Sequence, residues 1–424
     1  MINRKKGPEI HPVQKLNIPG IDQYTLPNGV KVCEVNLGSQ EIVKIEVVHT
    51  AGRSYEDHHL IGRATSSLLK DGCGSLNSAE IAEKIDYYGS SIKTASNMDF
   101  SFTSIHTLNK HCDRILPLLH DMYTTPTFPE DEIEKFKSLN IQKLKEELTK
   151  NEVITYRQIT EEIFGIDHPY GYNSKEEDYL GIDRQKIIQH FDDFYGSDNC
   201  YLFLSGHITD SIRKDIDAYF GQTIKSSKKK IYQPSKTDLA RKEILISSKN
   251  EHQSAIKTGR KLFDKDHPDN AAVFVLNTLF GGYFGSRLMT NIREEKGLTY
   301  DIYSSVDQML YDGCFYVSTE AATEYVAPIL KEVYDEMDIL KQEKADIDEL
   351  QMVKNYLMGN FMNMLDGPMN VSSFAKSMVL TGKNPEEFHD FADAIIGMEP
   401  ETVMEAARKY LNKEQMIEIV VSPI

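Results

Sequence analysis

Leu60-Ile61-Gly62-Arg63-Ala64-Thr65-Ser66-Ser67-Leu68-Leu69-Lys70-Asp71-Gly72 is the stretch from which the fold can be read. It is a short apolar helix that stops at Asp71-Gly72. A second helix follows, with Asn77 and Glu80 at capping-box spacing and Ile81, Ala82 and Ile85 on one face, ending at Gly89. Strand-like runs come next at 91–96 and 100–106, then a helix carrying Ile115, Leu118, Leu119 and Met122. The same order recurs downstream. Asp269-Asn270 opens an apolar helix over 271–280 that ends at Gly281-Gly282, and Ser286 is placed to cap a helix that stops at Gly297. Strands are expected at 298–305 and 314–319 around Tyr311-Asp312-Gly313, followed by a helix carrying Ile329, Val333, Met337 and Leu340. Gly281 lies 209 residues after Gly72, and Gly297 lies 208 after Gly89. Two independent helix stops agreeing to one residue mark a duplicated domain, far too long to be a solenoid repeat.

The whole chain fits that duplication. Its 424 residues exceed one ordinary core. The polar stretch 221–242, with Ser226-Ser227, Lys228-Lys229-Lys230 and Pro234, predicts a first domain over 1–225, a linker over 226–242 and a second domain over 243–424. Hairpin strands mixed with helices predict an α+β fold. Each domain is expected to be a mostly antiparallel sheet with helices packed on one face, the two closing about a cleft.

Composition narrows the function. With 48 basic and 65 acidic residues the formal charge is −17, and no basic stripe with interleaved aromatics offsets it, so nucleic acid is not an expected partner. The five cysteines, at 33, 73, 112, 200 and 314, are odd in number and contain no C-x-x-C, which argues against a disulfide framework or a zinc ribbon. The basic start, Met1 to Pro8, leads into no apolar core, and no apolar run has the length to span a bilayer. The expectation is a cytoplasmic protein without a membrane partner.

Four motifs in chain order carry a resemblance. Leu26-Pro27-Asn28-Gly29-Val30, Ala51-Gly52-Arg53-Ser54-Tyr55-Glu56 and Asp167-His168-Pro169-Tyr170-Gly171 precede a fourth, two-part motif, Ser286-Arg287-Leu288 with Asn291-Ile292-Arg293-Glu294-Glu295-Lys296-Gly297-Leu298-Thr299-Tyr300. Together they resemble the pitrilysin/insulinase-type zinc peptidases (the inverzincins), a family that shares the duplication. The resemblance implies the pitrilysin-like fold and a zinc motif, H-x-x-E-H, on a first-domain helix, with a further glutamate roughly 80 residues later. Histidines at i and i+4 share a helix face and reach one ion, and the glutamate between them activates the bound water.

This chain departs from that pattern. Registered on Lys70-Asp71-Gly72, the ligand positions hold Arg63, Ser66 and Ser67; registered on Gly62, they hold Thr65, Leu68 and Leu69. Adjacent His58 and His59 point about 100° apart on a helix. Glu146 and Glu147, near the expected third ligand, read as surface charges. No metal site is therefore expected in this chain. The segment is similar to the small-residue version in inactive subunits of two-chain members, such as the mitochondrial processing peptidase and its bacterial relatives.

In the bacterial pairs one chain brings zinc and the other an Arg/Tyr pair, and Arg293 and Tyr300 match that pair. A guanidinium and a phenol both donate hydrogen bonds to a carbonyl oxygen gaining negative charge. From the sequence pattern alone, Arg293 paired with Glu294 or Glu295 and Tyr300 as a half-buried strand aromatic remain open. The resemblance also places the first-domain edge strand, a surface for extended peptides, at Ile92, Lys93, Thr94, Ala95 and Ser96. The implied function is the non-catalytic subunit of a heterodimeric zinc peptidase, with zinc in an H-x-x-E-H partner. The alternatives are a scaffold, or a homodimer that binds peptides without cutting them.

Overall fold

The computed structural model describes residues 15–222, 226–230, 232, 240–248 and 253–423, so positions 231 and 233–239 of the expected linker lie outside the described residues. The first half opens with β1 (Asp22–Thr25), β2 (Lys31–Val35) and β3 (Ile42–His49), then α1 (Ile61–Leu68). A small ribbon, β4 (Gly72–Cys73) with β5 (Leu76–Asn77), leads into α2 (Ser78–Tyr87), β6 (Ser91–Ser96) and β7 (Ser101–Leu108). Helices α3 (Cys112–Thr124), α4 (Glu130–Glu147), α5 (Asn151–Phe164), α6 (Glu176–Leu180) and α7 (Arg184–Phe194) precede β8 (Cys200–Gly206) and α8 (Asp210–Phe220).

The second half runs β9 (Lys242–Ser247), β10 (Ser254–Leu262), α9 (Asn270–Asn277), β11 (Ile302–Gln308), β12 (Gly313–Ala321) and α10 (Val326–Gln342). It closes with α11 (Ile347–Met364), α12 (Gly367–Leu380), α13 (Pro385–Ile396), α14 (Pro400–Tyr410) and β13 (Ile417–Ser422).

The duplication is written into the sheets. The first has the order β1-β2-β8-β3-β7-β6 and the second β11-β12-β10-β13-β9. Without β1, one order is the other read backwards, element for element. Each sheet has one parallel pair, β2 with β8 and β9 with β13, and is otherwise antiparallel. Local chemistry sets the helix ends as expected: Asn77 and Glu80 form the capping box of α2, and Gly89 and Gly297 both take positive φ, 59° and 61°. One expectation fails. Ser286 caps nothing; its buried hydroxyl has no partner, and the segment Met289–Glu295 is π-wound. Gly281 instead serves close packing, since a Cβ there would stand 2.6 Å from the main-chain nitrogen of Ser304.

The α+β fold is as expected, with one addition that reorganises the molecule: both faces of each sheet are covered. Helix α5 of the first half lays Ile159, Ile163 and Phe164 against Tyr316, Ile417, Ile419 and Val421 of the second sheet. Reciprocally, α12 of the second half lays Val371 and Ala375 against Val35, Val48 and Phe203 of the first. The central strands β10 and β12 are therefore buried almost without interruption, whereas β1, β6 and β9 at the edges alternate or lie open. Among the described residues the two halves are crossed and packed, each with a helix on the other's sheet.

Charge marks each crossing, with opposite hand. On the first sheet Glu46 bonds Lys376 of α12 at 2.9 Å, while on the second Lys257 lies 4.0 Å from Glu152 of α5. Carboxylate on one sheet and ammonium on the other tell the two crossing helices apart.

Candidate functional site

The helix where the resemblance would place zinc, α1, is short, and its start is tightly enclosed. A Cβ at Gly62 would meet the Ala51 carbonyl at 2.9 Å and His190 at 3.2 Å. The carboxylate of Glu56 caps that start, accepting from the main-chain N–H groups of Leu60 and Gly62, both at 2.9 Å, and of Arg63 at 3.4 Å. Burial pushes the Glu56 carboxyl up to about 7, although Arg53 and these three donors work the other way.

The side chains at the zinc-ligand positions do the opposite of metal binding. Arg63 donates to Asn140 Oδ1 of α4 at 2.9 Å and to the Tyr179 hydroxyl at 3.3 Å. Ser66, fully buried, donates its hydroxyl to the Ala95 carbonyl of β6 at 2.7 Å, and Thr94 returns a bond to the Ser67 carbonyl at 3.3 Å. In the other register Thr65 bonds the carbonyl of Ile61, and Leu68 and Leu69 are core. A guanidinium and a serine hydroxyl already used as a donor do not fit zinc. Among the described residues no three His, Cys, Asp or Glu side chains come together as a metal-holding group. Glu146 bonds Gln142 of its own helix and Glu147 faces Lys143, so neither reaches α1. The residue that does so from α4 is Asn140, 77 positions after Arg63.

Around this helix end lies a cavity of about 430 Å³, lined in part by Arg53, Glu56, Arg63, Ser67, Thr94 and Ser96. Two of the sequence motifs meet here. Arg53, from Ala51 to Glu56, donates to the carbonyl of Tyr172 at 2.9 Å, just past the His168-Pro169-Tyr170-Gly171 loop. Tyr170 of that loop is buried and donates to Asp99 Oδ1 at 2.7 Å, and Asp99 also takes a bond from Ser54 at 2.8 Å. Neither Arg53 nor Glu56 was singled out by the sequence reading; their place in a family motif was the available signal.

The strand Ile92 to Ser96 is one edge of the first sheet, with no further strand paired to it among the described residues. Asn97 N–H bonds the Phe100 carbonyl at the hairpin, so antiparallel alternation turns the main-chain groups of Ile92, Thr94 and Ser96 away from β7. Lys93 and Ala95 are the inward-bonded positions, and Ala95 accepts the Ser66 hydroxyl.

Arg293 and Tyr300 do come together. Arg293 Nε donates to the Tyr300 carbonyl at 2.7 Å, and the guanidinium carbon lies 5.6 Å from the Tyr300 ring centre and 4.7 Å from that of Phe284. Glu294 stands 3.9 Å from one guanidinium nitrogen. Tyr300 is not on the strand where the sequence places it; β11 begins at Ile302, and Tyr300 is 87% exposed. The positive φ of Gly297 turns the chain, and Thr299 holds it by bonding the Glu320 carbonyl at 2.7 Å in place of a ladder bond. Tyr300 is thus no half-buried strand aromatic.

Known proteins resemble the chain in sequence and in fold. Residues 181–357 match the family model described as "Peptidase M16 inactive domain". In sequence and in fold the chain is similar to the M16, pitrilysin-like peptidases. It is 25% identical over 373 residues to YmxG of Bacillus subtilis (strain 168), an uncharacterized zinc protease, covering 86% of this chain and 89% of that protein. The crystal structure of a peptidase M16 inactive domain from Pseudomonas fluorescens matches with a TM-score of 0.85 at 22% identity, over 95% of this chain and 98% of that one. A chain of complex III from Candida albicans matches with a TM-score of 0.78 at 14% identity, over 95% and 96%.

Proposed function

We propose that this chain is the non-catalytic, peptide-holding subunit of a two-chain M16 peptidase. The observation that carries the reading is the pairing of a lost zinc motif with a kept strand edge. Arg63, Ser66 and Ser67 replace metal ligands on α1, while the main-chain groups of Ile92, Thr94 and Ser96 stay open beside them. An extended peptide adds to that edge through main-chain hydrogen bonds. The exposed Tyr300 phenol and the Arg293 guanidinium, already oriented by the Tyr300 carbonyl, suit donation to a group outside the chain. In this reading they donate to the scissile carbonyl oxygen of a peptide held by a zinc-bearing H-x-x-E-H partner, stabilising the charge it gains.

The test is reconstitution with such a partner, comparing wild type with Arg293→Ala and Tyr300→Phe. Each variant is expected to assemble and bind peptide while kcat falls on the order of 10²–10³, or about 2.7–4 kcal/mol. Cleavage at wild-type rates by both variants refutes the role of the pair. A scaffold without proteolysis is the second reading, favoured by the likeness to a complex III chain. It expects assembly with no peptide bound at β6.

A further inference from the structure

The cavity beside the start of α1 carries two arginines, in a chain whose formal charge is −17. Arg53 and Arg63 both line it, and their hydrogen bonds go only to neutral oxygens: the carbonyls of Pro169 and Tyr172, the Tyr179 hydroxyl and the Asn140 amide. Among the described residues no carboxylate forms an ion pair with either. The one acid facing them, Glu56, has its oxygens turned to the main-chain donors of α1, and burial favours its neutral form. Burial lowers the pKa of Arg53; Glu56 works against that, and the neighbouring Arg63 guanidinium adds to it. Two like charges in one half-buried cavity are unfavourable until an anion joins them.

The strand edge says how an anion would arrive. The cavity is lined by residues 94–98, so it flanks the edge and does not lie beyond its end. A residue of an added strand opposite Thr94 or Ser96 puts its side chain on the same face as theirs. For Thr94 that face is the α1 side, where its hydroxyl meets the Ser67 carbonyl.

The geometry points to a carboxylate subsite: Arg53 and Arg63 grip the acidic side chain of an extended peptide paired with β6. This rests on the peptide-holding reading above and adds the substrate class, a peptide with Asp or Glu at one position of the paired segment. A guanidinium offers parallel N–H donors matched to a carboxylate, and such charge-assisted bonds are the strong ones.

The experiment uses the full chain and fluorescently labelled ten-residue extended peptides with amidated C-termini, differing only by Glu or Gln at a central position. A third peptide carries the Gln with a free C-terminal acid. The Glu peptide is expected to bind at least about tenfold tighter than the Gln peptide, with the preference falling as salt is raised. Arg63→Gln should abolish the preference and Arg63→Lys restore part of it, while the Gln peptide binds all three proteins alike, which also reports that they are folded. Equal binding of Glu and Gln peptides by wild type overturns the subsite and leaves the strand-edge reading standing. A preference that follows the free C-terminal acid overturns the side-chain assignment. Binding of no peptide overturns both.

Discussion

Lys257 is the least expected charge in the molecule, and replacing it should stabilise the protein. It sits in the middle of β10, 1% exposed, with the Tyr156, Tyr303 and Tyr316 rings 5.7, 5.9 and 5.2 Å from its ammonium. Its ammonium donates to Ser318, and its only nearby carboxylate among the ion pairs found is Glu152 at 4.0 Å. Burial lowers its pKa from 10.5 to about 8, outweighing Glu152, Glu320 and Asp307. At about 1.36 kcal/mol per unit, holding the charge costs about 3 kcal/mol near neutral pH. Lys257→Met keeps the volume and removes that cost, while the lost Ser318 bond gives back about 1 kcal/mol. The net expectation is about 2 kcal/mol of added stability, or ~4–8 °C in the unfolding midpoint for a domain of this size. The sign with pH is fixed. A depressed lysine pKa contributes its stability above the unfolded value of about 10.4, and loses it as pH falls through about 8. The advantage of the variant is therefore full at pH 7 and reversed by about pH 10.5, where only the lost Ser318 bond, about 1 kcal/mol, separates the two. Thermal or denaturant unfolding of both proteins at pH 7 and near pH 10 reads this directly. A variant less stable at pH 7, or a gap that does not change with pH, refutes the reasoning. Glu46 on the other sheet makes the contrast: burial pushes its carboxyl up, yet Lys376 and Lys44 outweigh it and hold it below the usual range.

Two further outcomes follow from the architecture. Limited proteolysis within 221–242 should give two fragments near half size that still co-elute on gel filtration, because α5 and α12 each bury apolar side chains on the opposite sheet; separate elution contradicts the crossed packing. The purified chain should carry no stoichiometric zinc by elemental analysis, since Arg63 and Ser66 on α1 are committed hydrogen-bond donors; about one zinc per chain, lost on changing residues 63–67, overturns this.

The sequence by itself determined the duplication, the helix stops at Gly89 and Gly297, the capping box of α2 and the absence of ligand residues on α1. These are local: a glycine at positive φ or an Asn-x-x-Glu cap works through neighbours in the chain, whatever the rest of the fold does. It also marked Ile92 to Ser96 as the edge strand and joined Arg293 to Tyr300, because family motifs carried both. Tyr300 was misplaced on a strand because its alternating neighbours suit one; the Thr299 hydroxyl donates to the Glu320 carbonyl of β12 and the Thr319 hydroxyl to the Asp301 carbonyl, so the ladder starts only at Ile302. Tertiary structure alone decided what covers each sheet. Lys257, between Ile256 and Thr258, reads in sequence as the solvated position of an alternating strand. It is buried because α5, about a hundred residues earlier in the chain, crosses over that face. Arg53 and Arg63 likewise gain their meaning from two segments meeting across the cavity. No period in the sequence records which distant surface will cover a given side chain, and here that choice sets both the buried charge and the positive site.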